Sequence, residues 1–192
     1  MIHAEGLSRR FGRKRALDAV DVELPAGGFL LVTGPNGSGK TTLLRLCAGL
    51  LVPTGGMLEV RAGRGEIGFL GHDPLVYRGL TALENLDLYG RLYRVPERRE
   101  RSGMLLERFG LWEARNDRAG SYSRGMLQRL SLCRALLHEP SLLLLDEPFN
   151  GLDAAGAELL ARELAERRAT AVVATHDPDR VASLATARLA LA

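Results

Sequence analysis

The eight residues from Gly34 to Thr41 constrain this chain more than any other stretch. They read Gly-Pro-Asn-Gly-Ser-Gly-Lys-Thr and fit the phosphate-loop pattern G-x-x-x-x-G-K-[ST]. Glycines let such a loop turn its backbone N–H groups toward an anion, and a helix that starts at the loop adds the positive end of its dipole. The pattern predicts that Lys40 reaches the β and γ phosphates of a nucleotide and that the Thr41 hydroxyl ligates Mg²⁺. The candidate nucleotide-binding residues here are Gly34, Asn36, Gly37, Ser38, Gly39, Lys40, Thr41 and Thr42.

The flanking residues support this prediction. Residues 29–32 are a short apolar run typical of a strand, and residues 43–50 place leucines at helical spacing. Only Lys14 and Lys40 are lysines among the 26 basic residues of the sequence. A chain that otherwise uses arginine places lysine where a compact point charge is needed, which favours a phosphate-binding role for Lys40. We expect residues 13–15, Arg-Lys-Arg, to lie on the solvated surface.

Length and composition limit the classes of protein. With 192 residues, 46% of them hydrophobic, the chain is expected to form a single domain, 1–192, with a substantial core. The net charge of +3 gives no reason to invoke a nucleic-acid partner. Cys47 and Cys133 fall far apart within helical patterns, so we expect buried, reduced thiols. No apolar run approaches the ~18 residues of a membrane span, and we expect no signal peptide and no regulatory domain after His176.

The order of the predicted elements indicates the fold class. Buried apolar runs alternate with helical patterns, which predicts an α/β core with a mainly parallel sheet flanked by helices. Residues 2–7 and 20–24 predict N-terminal strands beside that core. A helical stretch at roughly residues 75–140 interrupts the alternation and predicts an inserted helical subdomain.

Local signals predict further helices. A capping box at residues 81–84 opens one helix. Residues 154–168 combine good helix formers with apolar residues three and four apart. Asp177 and Pro178 supply an N-cap and a first-turn proline for a last helix.

Three polar residues follow the predicted parallel strands. Asp146 and Glu147 end an apolar run, and His176 ends the next one. Ligands of such sheets bind beyond the carboxyl ends of the strands, where the phosphate loop also lies. Nucleotide hydrolysis needs a carboxylate that holds Mg²⁺ and a second group that orients the attacking water. Asp146 suits the first role and Glu147 the second, whereas His176 is either a histidine satisfied near a helix cap or a γ-phosphate contact.

Two further segments leave alternatives open. Phe11, within the basic turn at residues 9–13, is either a core residue or a platform on which an adenine ring stacks. Residues 120–129 combine serine, glycine and the start of a helix, so they form either an ordinary capped helix or a second anion-binding surface. Because one chain has one phosphate loop to serve, the second surface would act on the nucleotide of another subunit.

These residues, in this order, make the whole chain resemble the ATP-binding cassette (ABC) ATPases. Residues 34–41 resemble the Walker A motif, residues 142–146 resemble Walker B, and Glu147 is similar to the catalytic glutamate. The remaining similarities are residues 122–126 with the L-S-G-G-Q signature, Gly151 to Asp153 with the D-loop, His176 with the switch histidine, and Phe11 with the adenine-stacking A-loop.

The resemblance implies a P-loop NTPase fold that uses ATP and Mg²⁺. It also implies a homodimer or cassette pair in which two ATP molecules lie between the Walker A motif of one cassette and the signature of the other. Closure of this sandwich would power a transmembrane permease subunit on a separate chain, with the cassette cytoplasmic and peripheral on the cytoplasmic face of the cell membrane. Residues 75–77, Leu-Val-Tyr, are either core residues or apolar contacts for that membrane partner.

The sequence departs from the family pattern in two places. Arg124 replaces the first glycine of the signature and Met126 its glutamine, whereas Ser123 and Gly125, the expected phosphate contacts, remain. The Q-loop glutamine is absent, and His72 occupies its slot, where a neutral imidazole could hydrogen-bond a water or reach Mg²⁺.

The residues around His72 point to one subfamily of these ATPases. Residues 70–72 and 80–86 resemble the ATP-binding subunit of the haem exporter of cytochrome c maturation. Another efflux cassette is the main alternative. A soluble cassette acting on DNA or ribosomes, and a P-loop kinase, are further alternatives.

Overall fold

The computed structural model describes residues 1–167 and 169–192, together with their side chains except that of Arg64. Within these residues the chain forms eight strands and five α-helices. The strands are β1 (Ile2–Phe11), β2 (Lys14–Leu24), β3 (Phe29–Thr33), β4 (Gly55–Val60), β5 (Ile67–Leu70), β6 (Leu142–Asp146), β7 (Thr170–Ala174) and β8 (Ala187–Ala190). The helices are α1 (Lys40–Cys47), α2 (Ala82–Leu92), α3 (Arg98–Arg108), α4 (Arg124–Leu136) and α5 (Ala154–Glu166).

Five strands form a parallel sheet in the order β5-β6-β7-β3-β8, which confirms the predicted α/β core. The position of β6 inside this sheet explains its unbroken run of leucines. Leu142 and Leu144 belong to the core on the side of α1 and the N-terminal strands, whereas Leu143 and Leu145 belong to the core on the side of α4 and α5. Successive side chains of a strand point to opposite faces, so a strand covered on both faces needs apolar residues throughout.

A second, antiparallel sheet has the order β2-β1-β4 and confirms the predicted N-terminal strands. Strands β1 and β2 are longer than the sequence pattern indicates, and only Gly12 and Arg13 remain as the turn between them. Gly12 has φ +57°, a left-handed conformation that two-residue hairpin turns require. Most of the basic segment at residues 9–13 is therefore strand, with Phe11 as the last residue of β1.

Helices α2, α3 and α4 lie between β5 and β6 in the chain. The predicted capping box opens α2, since the Thr81 hydroxyl accepts from Glu84 N–H at 3.1 Å and the Glu84 carboxylate accepts from Thr81 N–H at 2.8 Å. Leu86 of α2 and Leu106 of α3 belong to the same core cluster as Leu143 of the parallel sheet. The interpretation of residues 1–192 as one domain, with a helical subdomain at roughly 75–140, stays a prediction.

Helix α4 covers the outer edge of the parallel sheet. An Arg134 Nη donates to the carbonyl of Phe69 at 2.6 Å, and His138 Nε2 lies 3.1 Å from the carbonyl of Ile67. Both carbonyls belong to β5, the edge strand, whose backbone groups lack a neighbouring strand on that side. Burial lowers the pKa of His138, so the neutral ring donates its Nε2–H to the carbonyl. The Arg134 bond joins α4, and the His138 bond joins the residue two positions after its end, to the strand that leads into His72.

The prediction of a last helix after His176 is wrong. Pro178–Arg180 form one short 3-10 turn, and the chain then continues into β8, which pairs in parallel with β3. The reason is that the free edge of β3 offers backbone partners that the local Asp-Pro signal does not reveal. The helix predicted over residues 154–168 ends at Glu166, and its predicted last residue, Arg168, lies outside the described residues.

The cysteines and the helices can be described directly. Cys47 and Cys133 are buried free thiols, as expected. Burial raises the pKa of the Cys47 thiol to about 12 and raises that of Cys133 as well, so both stay protonated at neutral pH. Among the helices of the described residues, none is both long and apolar enough to cross a lipid bilayer.

Candidate active site

The loop from Gly34 to Gly39 connects the end of β3 to the start of α1. Gly34 has φ +145° and Gly39 has φ +102°, conformations that L side chains rarely adopt. A β-carbon on Gly39 would lie 2.3 Å from the carbonyl oxygen of Ala16, and one on Gly34 would lie 2.3 Å from that of Leu191. The loop therefore lies tightly between β2 and the residue that follows β8, and glycine is required at both ends of it.

Lys40 is the first residue of α1 and is only 6% exposed. Its Nζ donates to the carbonyls of Gly34 at 2.7 Å and Pro35 at 3.1 Å. The ammonium thus lies against the loop, at the positive end of the α1 dipole. A cation and a helix N-terminus at one point form an environment that suits the phosphate groups of a nucleotide.

Thr41 and Asp146 are 105 residues apart in sequence and meet in the structure. The Thr41 hydroxyl donates to a carboxylate oxygen of Asp146 at 2.6 Å. Asp146 is the last residue of β6 and is 4% exposed. Its burial raises the pKa of the carboxyl group, while the hydrogen bond from Thr41 acts in the opposite direction.

This pair of oxygens fits Mg²⁺. A hydroxyl and a carboxylate oxygen are the hard ligands that the ion prefers. The described residues contain no cluster of three or more His, Cys, Asp or Glu side chains able to hold a metal. Mg²⁺ that binds together with substrate phosphates and water usually takes only one or two ligands from the protein.

Glu147 and His176 form a second pair. Glu147 accepts from the backbone N–H of His176 at 3.2 Å, and the same carboxylate oxygen lies 2.7 Å from His176 Nδ1. The pairing follows from the sheet, because β6 and β7 are neighbours and Asp146 lies opposite Ala174. Glu147 has φ +48°, and its N–H donates to the carbonyl of Ala174 at 2.8 Å. A strained carboxylate residue held by its neighbour is typical of functional sites.

These pairs and the loop line one cavity of about 700 Å³. The predicted site residues along its wall are Phe11, Gly34, Asn36, Gly37, Gly39, Lys40, Thr41, Thr42, His72, Asp146, Glu147 and His176. Ser38 does not line it. The Ser38 hydroxyl is buried without a hydrogen-bond partner among the described residues and lies beside Gly34.

Phe11 does not belong to the core. Its side chain is 45% exposed and lines the cavity. The Arg9 guanidinium lies 4.7 Å from the centre of the Phe11 ring, and an Nη of Arg9 donates to the carbonyl of Val52 at 2.8 Å. The ring is thus supported by an anchored cation and offers an accessible surface on which a base could stack.

His72 follows β5 and is exposed at the cavity wall. The structure thus brings His72 into the same cavity as Thr41 and Asp146, the two other residues expected at Mg²⁺.

Ser123 and Gly125 lie outside the cavity. Ser123 is exposed, and its hydroxyl caps α4 by accepting from Met126 N–H at 3.2 Å. Gly125 is half-buried, and a β-carbon on it would lie 2.5 Å from the carbonyl oxygen of Gly151. The fold of one chain does not bring these residues to its own phosphate loop. They could contact a nucleotide only if it belonged to another subunit.

Besides Pro35 of the phosphate loop, three cavity residues were not predicted as site residues, namely Lys14, Ala16 and Asn150. Lys14 is exposed, as expected, but its side chain faces the cavity. Strand alternation could have identified it, because Lys14 and Ala16 lie on the same face of β2. The backbone N–H of Asn150 donates to the carbonyl of Glu147 at 3.1 Å. Because Asn150 is a polar residue shortly after two carboxylates, the sequence could have indicated it as a site residue.

Comparison with known proteins identifies this arrangement. Residues 17–150 match the family described as ABC transporter. The chain belongs to the ABC transporter family. It is the ATPase domain of that family, and the fold is that of the P-loop NTPase cassette.

Individual relatives support the assignment. The chain is 38% identical over 189 residues to the uncharacterized ABC transporter ATP-binding protein YdbJ of Bacillus subtilis, with 92% of this chain and 61% of the relative covered. It is 41% identical over 166 residues to the daunorubicin resistance ATP-binding protein DrrA3 of Streptomyces coeruleorubidus, with 81% and 52% covered. This chain therefore spans between half and two thirds of the length of these curated relatives.

A solved structure shows the same cassette fold. The dimeric ATP-binding cassette MJ0796, in a post-hydrolysis state bound to ADP and Pi, has a TM-score of 0.87 and 29% sequence identity to this cassette. The similarity covers 100% of this chain and 94% of that one.

Proposed function

We propose that this cassette is the ATP-binding and hydrolysing subunit of an ABC membrane transporter. The observation that carries the proposal is the meeting of three elements in one cavity: the phosphate loop with Lys40, the pair of Thr41 with Asp146, and the pair of Glu147 with His176. An anion site, a hard-oxygen cation site and a carboxylate beside a histidine together meet the requirements of phosphoryl transfer to water.

Each residue has a distinct task in this proposal. The loop N–H groups and Lys40 bind the phosphates, and Phe11 supports the adenine. Thr41 and Asp146 hold Mg²⁺, with His72 as a nearby ligand or water contact. When bound, Mg²⁺ offsets the negative charge that develops on the phosphates. Glu147 accepts a proton from the attacking water, and His176 orients the carboxylate through the 2.7 Å contact and approaches the γ-phosphate.

The signature surface, defined by Ser123 and Gly125, makes a dimer part of the proposal. Both residues lie at the N-terminus of α4 and away from their own cavity. The related cassette MJ0796 is dimeric in its ADP-bound and phosphate-bound state. We propose that two copies pack head to tail, so that the signature surface of each completes the ATP site of the other.

Closure of this dimer would act on a transmembrane permease subunit on a separate chain, at the cytoplasmic face of the cell membrane. The segment after His72 is a suitable contact for such a partner. Leu75 and Tyr77 are 47% and 55% exposed, whereas Val76 between them packs against the core. These two exposed apolar side chains lie three and five residues after His72 in the chain, and they could transmit the state of the cavity to a neighbouring subunit.

The narrower proposal is haem export for cytochrome c maturation. It rests on residues 70–72 and 80–86, and His72, the last residue of the first segment, lines the cavity. Another efflux substrate is the main alternative, and DrrA3 is named for daunorubicin resistance. A native complex purified with its permease distinguishes these. A strain lacking the gene should lose c-type cytochromes if haem export is correct, whereas normal cytochrome content would contradict it.

The proposed enzymatic activity is tested by phosphate release from ATP without any acceptor molecule. The purified chain should release phosphate, and Lys40→Ala should reduce the rate at least about a hundredfold, because an anchor of the transferred phosphates is lost. Arg45→Ala is the matched control, since Arg45 is an exposed cation on the same helix outside the cavity. Release that requires an acceptor would favour a kinase, and equal rates in both variants would contradict the proposal.

A further inference from the structure

Lys14 lies in the nucleotide cavity although the sequence places it in a run of surface arginines. Strand alternation explains its position. Lys14 and Ala16 lie two residues apart on β2 and both line the cavity. The carbonyl of Ala16 lies against Gly39 of the phosphate loop. Lys14 is therefore one strand repeat, about 7 Å, from a residue that contacts the loop, and the extended side chain of lysine spans a similar distance.

The neighbouring arginines do not share this position. Arg13 belongs to the hairpin turn and does not line the cavity. Arg15 is the next residue along β2, where strand alternation reverses the side-chain direction. It does not line this cavity and forms an ion pair with Asp18. Among the described residues, no carboxylate lies within ion-pair distance of Lys14. Its ammonium is thus an accessible cation at the cavity wall.

Lys40 and Lys14 occupy different parts of the cavity. Lys40 is buried and its ammonium already contacts two loop carbonyls, at the end of the cavity formed by the phosphate loop. Lys14 lies opposite Phe11 in the hairpin, because these two residues are cross-strand partners. The two lysines of the chain therefore line one cavity, Lys40 at the phosphate loop and Lys14 on β2 beside Phe11.

We propose that Lys14 is a second cationic contact for the phosphate chain of the nucleotide. It binds from the β2 side, while the phosphate loop and Lys40 bind from the other. This inference rests on the proposed function, because it assumes that the cavity binds ATP. A compact ammonium on a flexible stem suits this task, since it can follow phosphates as they move without fixed bidentate geometry.

The test measures equilibrium binding of ATP, ADP and AMP, each with Mg²⁺, by isothermal titration calorimetry on the full chain. Lys14→Ala should weaken ATP binding roughly fivefold, the effect expected of an exposed charge pair. The loss should be smaller for AMP, which has one phosphate. Lys14→Arg should stay within about twofold of the wild type, because the positive charge is kept. Raising KCl from about 0.05 to about 0.5 M should reduce the difference between wild type and Lys14→Ala by screening.

Arg13→Ala is the matched control, since it removes an adjacent positive charge outside the cavity. Lys14→Ala within twofold of the wild type, or Arg13→Ala as damaging as Lys14→Ala, would overturn the inference. Equal losses for ATP and AMP would also overturn it, because they would indicate a contact to the base or sugar. If Lys40→Ala abolishes ATP binding while Lys14→Ala has no effect, only this inference fails. If the wild-type chain binds no ATP, the proposed function fails as well.

Discussion

Replacing Glu147 by glutamine separates ATP binding from hydrolysis in this cassette. The structure predicts that the fold tolerates the change. Glutamine has the same shape and keeps one acceptor oxygen for the N–H of His176, which lies 3.2 Å from the carboxylate. At most one hydrogen bond is weakened, so the free energy of unfolding should change by about 1 kcal/mol or less.

The chemical step should respond much more strongly. An amide cannot accept the proton of the attacking water, and general-base catalysis typically contributes about 10²- to 10⁴-fold. The expected rise in the activation free energy is therefore about 3–5 kcal/mol. ATP then persists in the site and holds two chains together. Light scattering after gel filtration with saturating ATP should give about twice the 20.9 kDa of one chain.

Two controls make this result specific. Ser123→Arg in the Glu147→Gln background should return the protein to a monomer, because the bulky cation is placed on the signature surface. Ser183→Arg, at another exposed serine, should leave the dimer intact. A Glu147→Gln protein that binds ATP yet stays monomeric at saturation would refute the head-to-tail arrangement.

Three further predictions concern the loop, the helix α2 and the N-terminal sheet. Gly39→Ala should abolish ATP binding and lower the melting temperature, since the new β-carbon would lie 2.3 Å from a backbone oxygen of β2; unchanged binding by calorimetry would contradict this. Thr81→Ala should cost about 1 kcal/mol in urea unfolding through loss of the N-cap, whereas Thr81→Ser should restore most of it. The Glu23 carboxylate, hydrogen-bonded to His3, raises the pKa of that exposed imidazole above 6.5. The stabilisation from protonated His3 is therefore complete below about pH 6.5 and lost as the pH rises through the folded-state pKa; an NMR titration midpoint at or below 6.5 would contradict the contact.

Much of the core and of the site follows from local sequence. The phosphate-loop pattern identified the turn around an anion, because its glycines are needed wherever the chain packs as closely as Gly39 does against β2. The leucines of β6 indicated a strand covered on both faces. The capping box at Thr81 indicated the start of α2, since its two hydrogen bonds join residues only three apart. In each case a local pattern was sufficient to predict the element, although the packing around Gly39 and the leucines of β6 involves residues distant in sequence.

The remaining features depend on partners that are distant in sequence. The Asp-Pro signal after His176 favoured a helix, but the free edge of β3 bound residues 187–190 as a strand. The surface location of Lys14 followed from its charge, but its position on the cavity face follows from the packing of β2 against the phosphate loop.

The sequence by itself determined the chemistry of this cassette: which side chains could bind phosphate, which could hold Mg²⁺ and which could activate water. Only the tertiary structure decided which of them share a cavity. Thr41 meets Asp146, and Glu147 meets His176, because the parallel order of β3, β7 and β6 brings their carboxyl ends to one edge. The same order leaves Ser123 and Gly125 outside that cavity. The alternation of residues within a strand is a local property of the sequence. Which strands become neighbours in the sheet is determined by burial of the whole core.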